Sequence, residues 1–125
     1  MISSNSNDII GNAVPGGGGS GGETQPVYIL TDGATITPNW VNGDIQQVTL
    51  EGDRTIANTS GKMDGGIYML LIKQDAIGSR SVTWGSEYKW QEGVPPLLSI
   101  DPNLTDIITF ICDGTNLYGV IQEGF

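Results

Sequence analysis

The stretch DIITFICDGTNLYGVIQ, residues 106–122, decides the fold class. It contains a long apolar run, a reversal signal at Asp113-Gly114-Thr115, and a second apolar run that leads back. Asp-Gly between two β-prone segments is a strong short-range signal for a β-hairpin. The stretch therefore predicts strands over 106–113 and 116–122 that pair with each other in antiparallel fashion.

The chain from Val27 onward repeats this pattern of short β-prone runs. Gly, Asp, Asn and Pro separate the runs, and no stretch shows helical periodicity with end caps. About eight to ten short strands of this kind predict an all-β domain, either an antiparallel β-sandwich or a jelly-roll-like barrel. Besides the hairpin, strands are predicted at 27–31, 34–37, 46–50, 54–58, 67–74, 79–84, 88–90 and 97–100.

The predicted strand Ile67–Gln74 is apolar on both of its faces at residues 67–72. A two-layer sandwich buries only one face of each sheet, so such a strand needs a second cover. A symmetric oligomer is one solution, and we expect a homotrimer. Loops of the same chain are the alternative cover.

Residues 1–26 differ in composition from the domain predicted at 27–125. They open with polar residues and end in the run Gly16–Gly22, which only Ser20 interrupts. Such a run behaves as a flexible tether. The segment therefore predicts an extended arm that docks on another protein, most simply a neighbouring subunit, and a disordered tail or linker is the alternative. The apolar anchor residues of the arm would be Ile2, Ile9, Ile10, Ala13 and Val14.

The charge balance limits the partners of this chain. There are 14 acidic and 5 basic residues, for a net charge of -9. Without a Lys/Arg cluster, neither nucleic acid nor an anionic membrane is an expected partner. The N-terminus also lacks the charged and apolar regions of a signal peptide, so we expect synthesis in the cytoplasm.

The chemistry-bearing residues are few. There is one cysteine, Cys112, and no histidine. Nucleophilic catalysis therefore lacks its usual base, and metal sites of His and Cys are excluded by count. We predict no catalytic residue, no metal, no cofactor and no enzymatic activity. Cys112 is predicted to be a buried small apolar residue.

Aromatic residues in turn-rich segments are the remaining candidates for a site. Trp40, Tyr88 and Trp90 are candidate contacts for a ligand or partner, since exposed aromatic rings stack on sugars and dominate protein interfaces. The alternative, which we favour for Trp84 and Trp90, is that these rings cap one end of the core.

The stretch from Val48 to Phe125, about two thirds of the chain, carries several short sequence phrases in a fixed order. They are VTLEGDRTI at 48–56, GIYMLLIKQD at 66–75, GSRSVTW at 78–84, DIITF at 106–110 and DGTNLYGV at 113–120. This set resembles a β-rich module of tailed-phage virion proteins, which occurs at tail-fibre ends and in small head or decoration proteins.

The resemblance implies a structural protein of the virion, assembled in the host cytoplasm. Our first interpretation is a capsid decoration, cement or head-fibre protein, anchored by the arm to the major capsid protein or another virion protein. The alternative is a tail-fibre module or receptor-binding tip that recognises a host surface glycan.

Overall fold

A computed structural model describes residues 25–125, and β-strands dominate it. Two short 3-10 turns, Trp40–Asn42 and Gln91–Gly93, are its helical elements within that range. The all-β class is thus confirmed. The strands are β1 (Tyr28–Ile29), β2 (Thr35–Ile36), β3 (Ile45–Leu50), β4 (Arg54–Ile56), β5 (Ile67–Gln74), β6 (Val82–Trp84), β7 (Tyr88–Lys89), β8 (Thr105–Cys112) and β9 (Leu117–Gln122).

The strands form two sheets. A six-stranded sheet has the order β1-β3-β5-β8-β9-β7, and a three-stranded sheet has the order β2-β4-β6. From β1 to β6 the chain alternates between the two sheets, so that each pair of strands makes one coil of a winding. Successive coils are parallel: β1, β3 and β5 pair in one sheet, while β2, β4 and β6 pair in the other.

The winding departs from the antiparallel pairing that the sequence predicts. Asp-Gly signals such as Asp32-Gly33 do turn the chain, but they lead it across to the other sheet and not back beside the same strand. Strands that recur at the same place in successive coils then run in the same direction. The antiparallel pairs are β5 with β8 and β8 with β9, and the predicted hairpin over 106–122 is confirmed.

Polar side chains fasten each coil to the next at the turns between the sheets. Asp32, in the first coil, accepts hydrogen bonds from Arg54 in the second, from Nε at 2.9 Å and from Nη2 at 2.7 Å. Asp53 of the second coil accepts one from the backbone N–H of Ser81 in the third, at 3.0 Å. The turn residues therefore stabilise the stacking of coils as well as the reversal of the chain.

The third such turn is closed by a pair that the sequence indicates. Asp75 accepts from Arg80 Nη2 at 2.8 Å and from the backbone N–H groups of Ile77 and Gly78. It therefore caps the turn and pairs with the arginine at once. Gly78 adopts a φ of 78°, a conformation that glycine takes without strain.

The core lies between the two sheets. Alternate residues of β3, β5 and β8 point inward and are buried, and they meet Ile36 and Ile56 of the three-stranded sheet. Cys112 is buried there as predicted. The inward apolar residues of the larger sheet are Val48, Leu50, Tyr68, Leu70, Ile72, Ile108, Phe110 and Leu117.

Two buried amides hold loops at the ends of the strands. Gln46 Nε2 donates to the carbonyl oxygens of Asn39 and Gly43, at 2.7 and 2.9 Å. Gln74 Nε2 donates to the carbonyl oxygens of Arg80 and Ser99, and its Oε1 accepts from Arg80 N–H. These contacts give buried loop backbone the hydrogen bonds that a sheet would otherwise supply.

The strand predicted at 97–100 does not form. Its backbone at Ser99 bonds to side chains: the N–H donates to Asp106 Oδ2 at 2.7 Å, and the carbonyl accepts from Gln74. Pro96 has no N–H to donate to a strand partner. The segment is thus held by buried polar side chains and not by a neighbouring strand.

The outward residues of β3, β5, β8 and β9 form what we call the outer face of the six-stranded sheet. They are half-buried or exposed, and no acidic side chain occurs among them. The apolar members are Ile45, Ile67, Met69, Leu71, Ile107, Ile111, Tyr118 and Val120. Loops of residues 25–125 therefore leave this face partly open.

Within residues 25–125, helices long and apolar enough to span a membrane are absent. The arm residues predicted to dock, namely Ile2, Ile9, Ile10, Ala13 and Val14, lie outside the described residues.

Candidate binding site

Trp40 lies in the core and not at a surface. Its side chain is 3 % exposed, and its ring stacks on Tyr68 with centroids 4.6 Å apart and planes 14° apart. The Trp40–Asn42 turn is capped by Asn39, whose Oδ1 accepts from Val41 N–H at 3.0 Å. The capped turn directs the indole inward, so the structure corrects the idea that Trp40 contacts a ligand.

Tyr88 is likewise buried, with 4 % of the residue exposed. Its hydroxyl donates to the carbonyl oxygen of Ala57 at 2.8 Å, and burial raises the pKa of the phenol. Its ring faces Phe110 with centroids 5.4 Å apart. The structure therefore places Tyr88, a predicted ligand contact, mainly in the core, and its hydroxyl already donates a hydrogen bond within the domain.

Trp84 and Trp90 join Tyr88 in an aromatic cluster at the end of the core. The Trp84 ring meets the rings of Tyr88 and Trp90 edge-on, each at a centroid distance of 5.0 Å. Both indoles also pack against Phe110, at 6.3 and 5.9 Å. Both residues are half-buried. The favoured prediction that Trp84 and Trp90 cap the core thus agrees with the structure, although neither indole is fully enclosed.

These rings line a surface depression of about 270 Å³, which we call the aromatic depression. Its volume is near the lower end of the range for small-molecule sites, roughly 300 Å³, and suits a group the size of one sugar ring. Its lining contains no carboxylate. The lining residues are Trp84, Gly85, Tyr88, Lys89, Trp90, Gly93 and Pro95.

The indole N–H groups at this depression have no internal partner. Nε1 of Trp84 and Nε1 of Trp90 are buried, and neither donates a hydrogen bond to the described residues. A buried donor without an acceptor costs roughly 1–3 kcal/mol. The rings are therefore placed by packing alone, which leaves their polar edges unsatisfied.

A glycine on the neighbouring strand makes room for Trp90. A Cβ at Gly119 of β9 would lie 2.5 Å from Trp90 Cζ3 and 2.9 Å from Phe110 Cε1. Any larger residue would push the indole off the sheet. Gly119, within the phrase LYGV, is therefore required for Trp90 to pack here, and the sequence-based predictions missed this role. The signal was a glycine inside an otherwise β-prone strand.

A buried acidic residue anchors the turn that leads into Tyr88. Glu87 Oε2 accepts from Thr59 N–H at 2.7 Å and from Thr59 Oγ1 at 2.6 Å, while Oε1 pairs with Lys62 Nζ at 3.0 Å. The backbone N–H of Glu87 donates to Asn58 Oδ1 at 2.9 Å. This network fixes the loop from the second coil against the base of the aromatic depression.

Other chemistry is sparse in the described part of the chain. Within residues 25–125, no three His, Cys, Asp or Glu side chains gather as metal ligands would. Cys112 Sγ accepts from Gly114 N–H at 3.2 Å inside the hairpin turn. The arrangement at the aromatic depression is suited to stacking and hydrogen bonding with a bound group.

A comparison with protein-family models gives one assignment. Residues 15–117 match the family described as "Putative phage tail fibre C-terminal domain". Searches of curated proteins and of solved structures find no match.

The match covers most of the chain and includes the phrases that carry the resemblance noted above, except the last three residues of DGTNLYGV. It supports the tail-fibre alternative, while the first interpretation, a capsid decoration or cement protein, receives no support from it. This chain is a structural component of a phage virion, and it belongs to the family of phage tail fibre C-terminal domains.

Proposed function

We propose that this domain is the host-contacting end of a phage tail fibre, and that the aromatic depression binds a saccharide of the host surface. The observation that carries the proposal is the cluster of half-buried indoles, Trp84 and Trp90, in the wall of an open depression. The family match supports the first half of the proposal, since it relates the chain to the ends of tail fibres.

The physical case for a saccharide rests on the two kinds of surface that a sugar offers. Its C–H faces pack on aromatic rings, and its hydroxyls accept hydrogen bonds from N–H donors. The aromatic depression supplies rings from Trp84 and Trp90 together with their unpartnered indole N–H groups. Both N–H groups are covered in the free domain, so a small rotation of the rings would accompany hydrogen bonding to the sugar.

The proposed role is recognition of the saccharide by binding alone. A single site of this size binds weakly, because a small contact leaves little free energy after the cost of association. Several copies on one particle would raise the overall affinity through multivalency. Weak binding at each site and stronger binding by many copies together suit a fibre end that contacts a polysaccharide surface.

The test compares two matched substitutions in the full-length chain. Trp90→Phe alters a wall of the aromatic depression, whereas Trp40→Phe alters an indole buried elsewhere in the core. Binding is measured against a panel of immobilised bacterial lipopolysaccharides and capsular polysaccharides. We expect Trp90→Phe to weaken binding about three- to tenfold, because phenylalanine keeps an aromatic ring but lacks the indole N–H, and one hydrogen bond contributes about 0.5–1.5 kcal/mol. Trp40→Phe should leave binding unchanged.

Melting temperatures of both variants control for loss of structure. Equal loss of binding in Trp90→Phe and Trp40→Phe would place the saccharide elsewhere on the domain. Failure of the wild-type chain to bind any member of the panel, or cells of a susceptible host, would refute the recognition role.

A further inference from the structure

A second depression lies beside the aromatic depression, on the other side of Trp90. It measures about 280 Å³, and we call it the edge depression. Trp90 lines both depressions, so its indole is the wall between them. Each depression alone is smaller than the roughly 300 Å³ at which the range for small-molecule sites begins, whereas the two together lie within that range.

The edge depression exists because β7 is shorter than the strand with which it pairs. β7 covers only the first two residues of β9, and the chain then leaves the sheet through the 3-10 turn Gln91–Gly93. Pro95 and Pro96 follow, and proline has no N–H with which to continue a strand. Residues 119–122 of β9 therefore have β8 on one side and no strand on the other.

Backbone polar groups of β9 point into this gap. The N–H of Leu117 donates to the carbonyl oxygen of Glu87 at 2.9 Å, so the backbone groups of Leu117 face β7. Alternate residues of a strand direct these groups to the same side, which places the N–H and C=O of Ile121 toward the edge depression. The described residues offer these two groups no hydrogen-bond partner. Together with the unpartnered Nε1–H of Trp90, they give the site two donors and one acceptor for a bound group.

The charges at the two depressions favour an uncharged ligand. Among the described residues, none that lines the edge depression is charged. Lys89 borders the aromatic depression, but it alternates with Tyr88 and Trp90, so its side chain points to the opposite face of the sheet. The net charge of -9 also repels an acidic polysaccharide at long range. Neutral sugar units fit this setting, because their hydroxyls both donate and accept hydrogen bonds.

We infer that the saccharide site continues past Trp90, and that the ligand is an uncharged oligosaccharide of at least two consecutive sugar units. One unit occupies the aromatic depression and the next occupies the edge depression, with the indole of Trp90 between them. Hydroxyls of the second unit bond to the open backbone of Ile121 and to the side-chain amide of Gln91, which lines the edge depression. This inference rests on the proposed function, since it names the kind of saccharide that the same site would take.

The first test is the dependence of affinity on ligand length, measured on the full-length chain. Fragments of one, two and three sugar units are prepared by mild acid hydrolysis of a neutral polysaccharide that the chain binds in the panel described above. Isothermal titration calorimetry gives the dissociation constant of each fragment. We expect the two-unit fragment to bind at least tenfold more tightly than the one-unit fragment, because the second unit adds contacts without a second cost of association.

A matched pair of glutamine variants then locates the second unit. Gln91→Leu removes an amide from the edge depression, whereas Gln25→Leu changes an exposed amide next to β1, at the opposite edge of the six-stranded sheet. We expect Gln91→Leu to weaken binding of the two-unit fragment about three- to tenfold and to leave the one-unit fragment unaffected. Gln25→Leu should change neither. In NMR spectra the amide of Ile121 should shift with the two-unit fragment only.

The outcomes separate this inference from the function on which it rests. A chain that binds the polysaccharide, but binds one-unit and two-unit fragments equally and shows no shift at Ile121, would overturn the inference and leave the proposed function intact. Equal effects of Gln91→Leu and Gln25→Leu would also overturn it. Binding confined to acidic polysaccharides would contradict the assignment of an uncharged ligand, and a chain that binds no member of the panel would overturn both proposals.

Discussion

At the scale of single residues, Asp75 shows how much a turn in this domain depends on one carboxylate. Arg80 donates to it from Nε at 3.3 Å and from Nη2 at 2.8 Å, and the backbone N–H groups of Gly78 and Ile77 donate as well. These donors, the arginine first, lower the pKa of Asp75 from 3.8 to about 2. Each of them favours the ionised form.

The lowered pKa predicts a pH dependence of stability with a definite sign. A carboxyl whose pKa is lower in the folded state stabilises the fold above its unfolded pKa, and that contribution is lost as the pH falls. For Asp75 the loss occurs between about pH 4 and pH 2. We expect Asp75→Asn to be less stable than wild type at pH 7 and to lose less stability on acidification through this window.

The measurement is chemical denaturation at a series of pH values. Asp64→Asn is the control, since Asp64 is an exposed carboxylate away from this turn. The curves of Asp64→Asn and wild type should run parallel. If Asp75→Asn also runs parallel to wild type, the carboxylate does not contribute through ionisation. Asp32 and Asp53 also have lowered pKa values, from the hydrogen bonds of Arg54 and Ser81 respectively, so some acid sensitivity should remain in every single variant.

At the scale of elements, the buried amide of Gln74 replaces a missing strand partner. It satisfies two loop carbonyls and one loop N–H at the end of β5. Gln74→Leu keeps a similar volume but leaves these groups without partners in a dry environment. We expect a loss of roughly 2–4 kcal/mol in the free energy of unfolding.

Urea denaturation measures this loss, with Gln91→Leu as the exposed counterpart. Gln91→Leu should change stability by less than about 0.5 kcal/mol, as surface substitutions usually do. Equal effects of the two changes would mean that the loop at 97–100 is held by its apolar contacts rather than by Gln74.

The sequence predicted the strands better than their partners. Alternation and turn residues located β5 and the hairpin of β8 and β9, because both features are local. Parallel pairing joins residues such as Ile36 and Ile56, which no local pattern connects. A signal was nevertheless present: DGATI at 32–36 and GDRTI at 52–56 repeat an acidic-glycine turn followed by Thr-Ile. A search for internal repeats would have indicated the winding.

The aromatic residues show where reasoning from composition fails. Trp40 lies among turn residues, which favour the surface, yet the capped turn directs its ring into the core. Trp84, Tyr88 and Trp90 come together because β6 and β7 belong to different sheets that meet at one end of the core. The sequence placed Trp84 and Trp90 together at one end of the core, but the depression between them depends on the crossing between the sheets.

At the scale of the whole molecule, stability should be graded from the centre of the larger sheet to its edges. β5 and β8 have a strand on both sides, whereas β1 and β7 are two-residue edge strands. Local opening is easiest where contacts are few. We expect amide hydrogen exchange to be slowest in β5 and β8 and fastest in β1, β7 and the loop at 94–100.

Exchange followed residue by residue by NMR checks this gradient. Protection in β1 equal to that in β5 would show that a further segment covers this edge.

The alternation of the chain between its two sheets also makes the domain extendable in whole units. Each coil contributes one strand to each sheet and places its acidic turn over that of the coil before it, as Asp32 lies against Arg54. A duplicated coil placed between the first and second would find a matching strand edge on either side. The hairpin and the aromatic depression, at the other end of the winding, would keep their surroundings. A domain built this way can be lengthened without redesign of the proposed saccharide site.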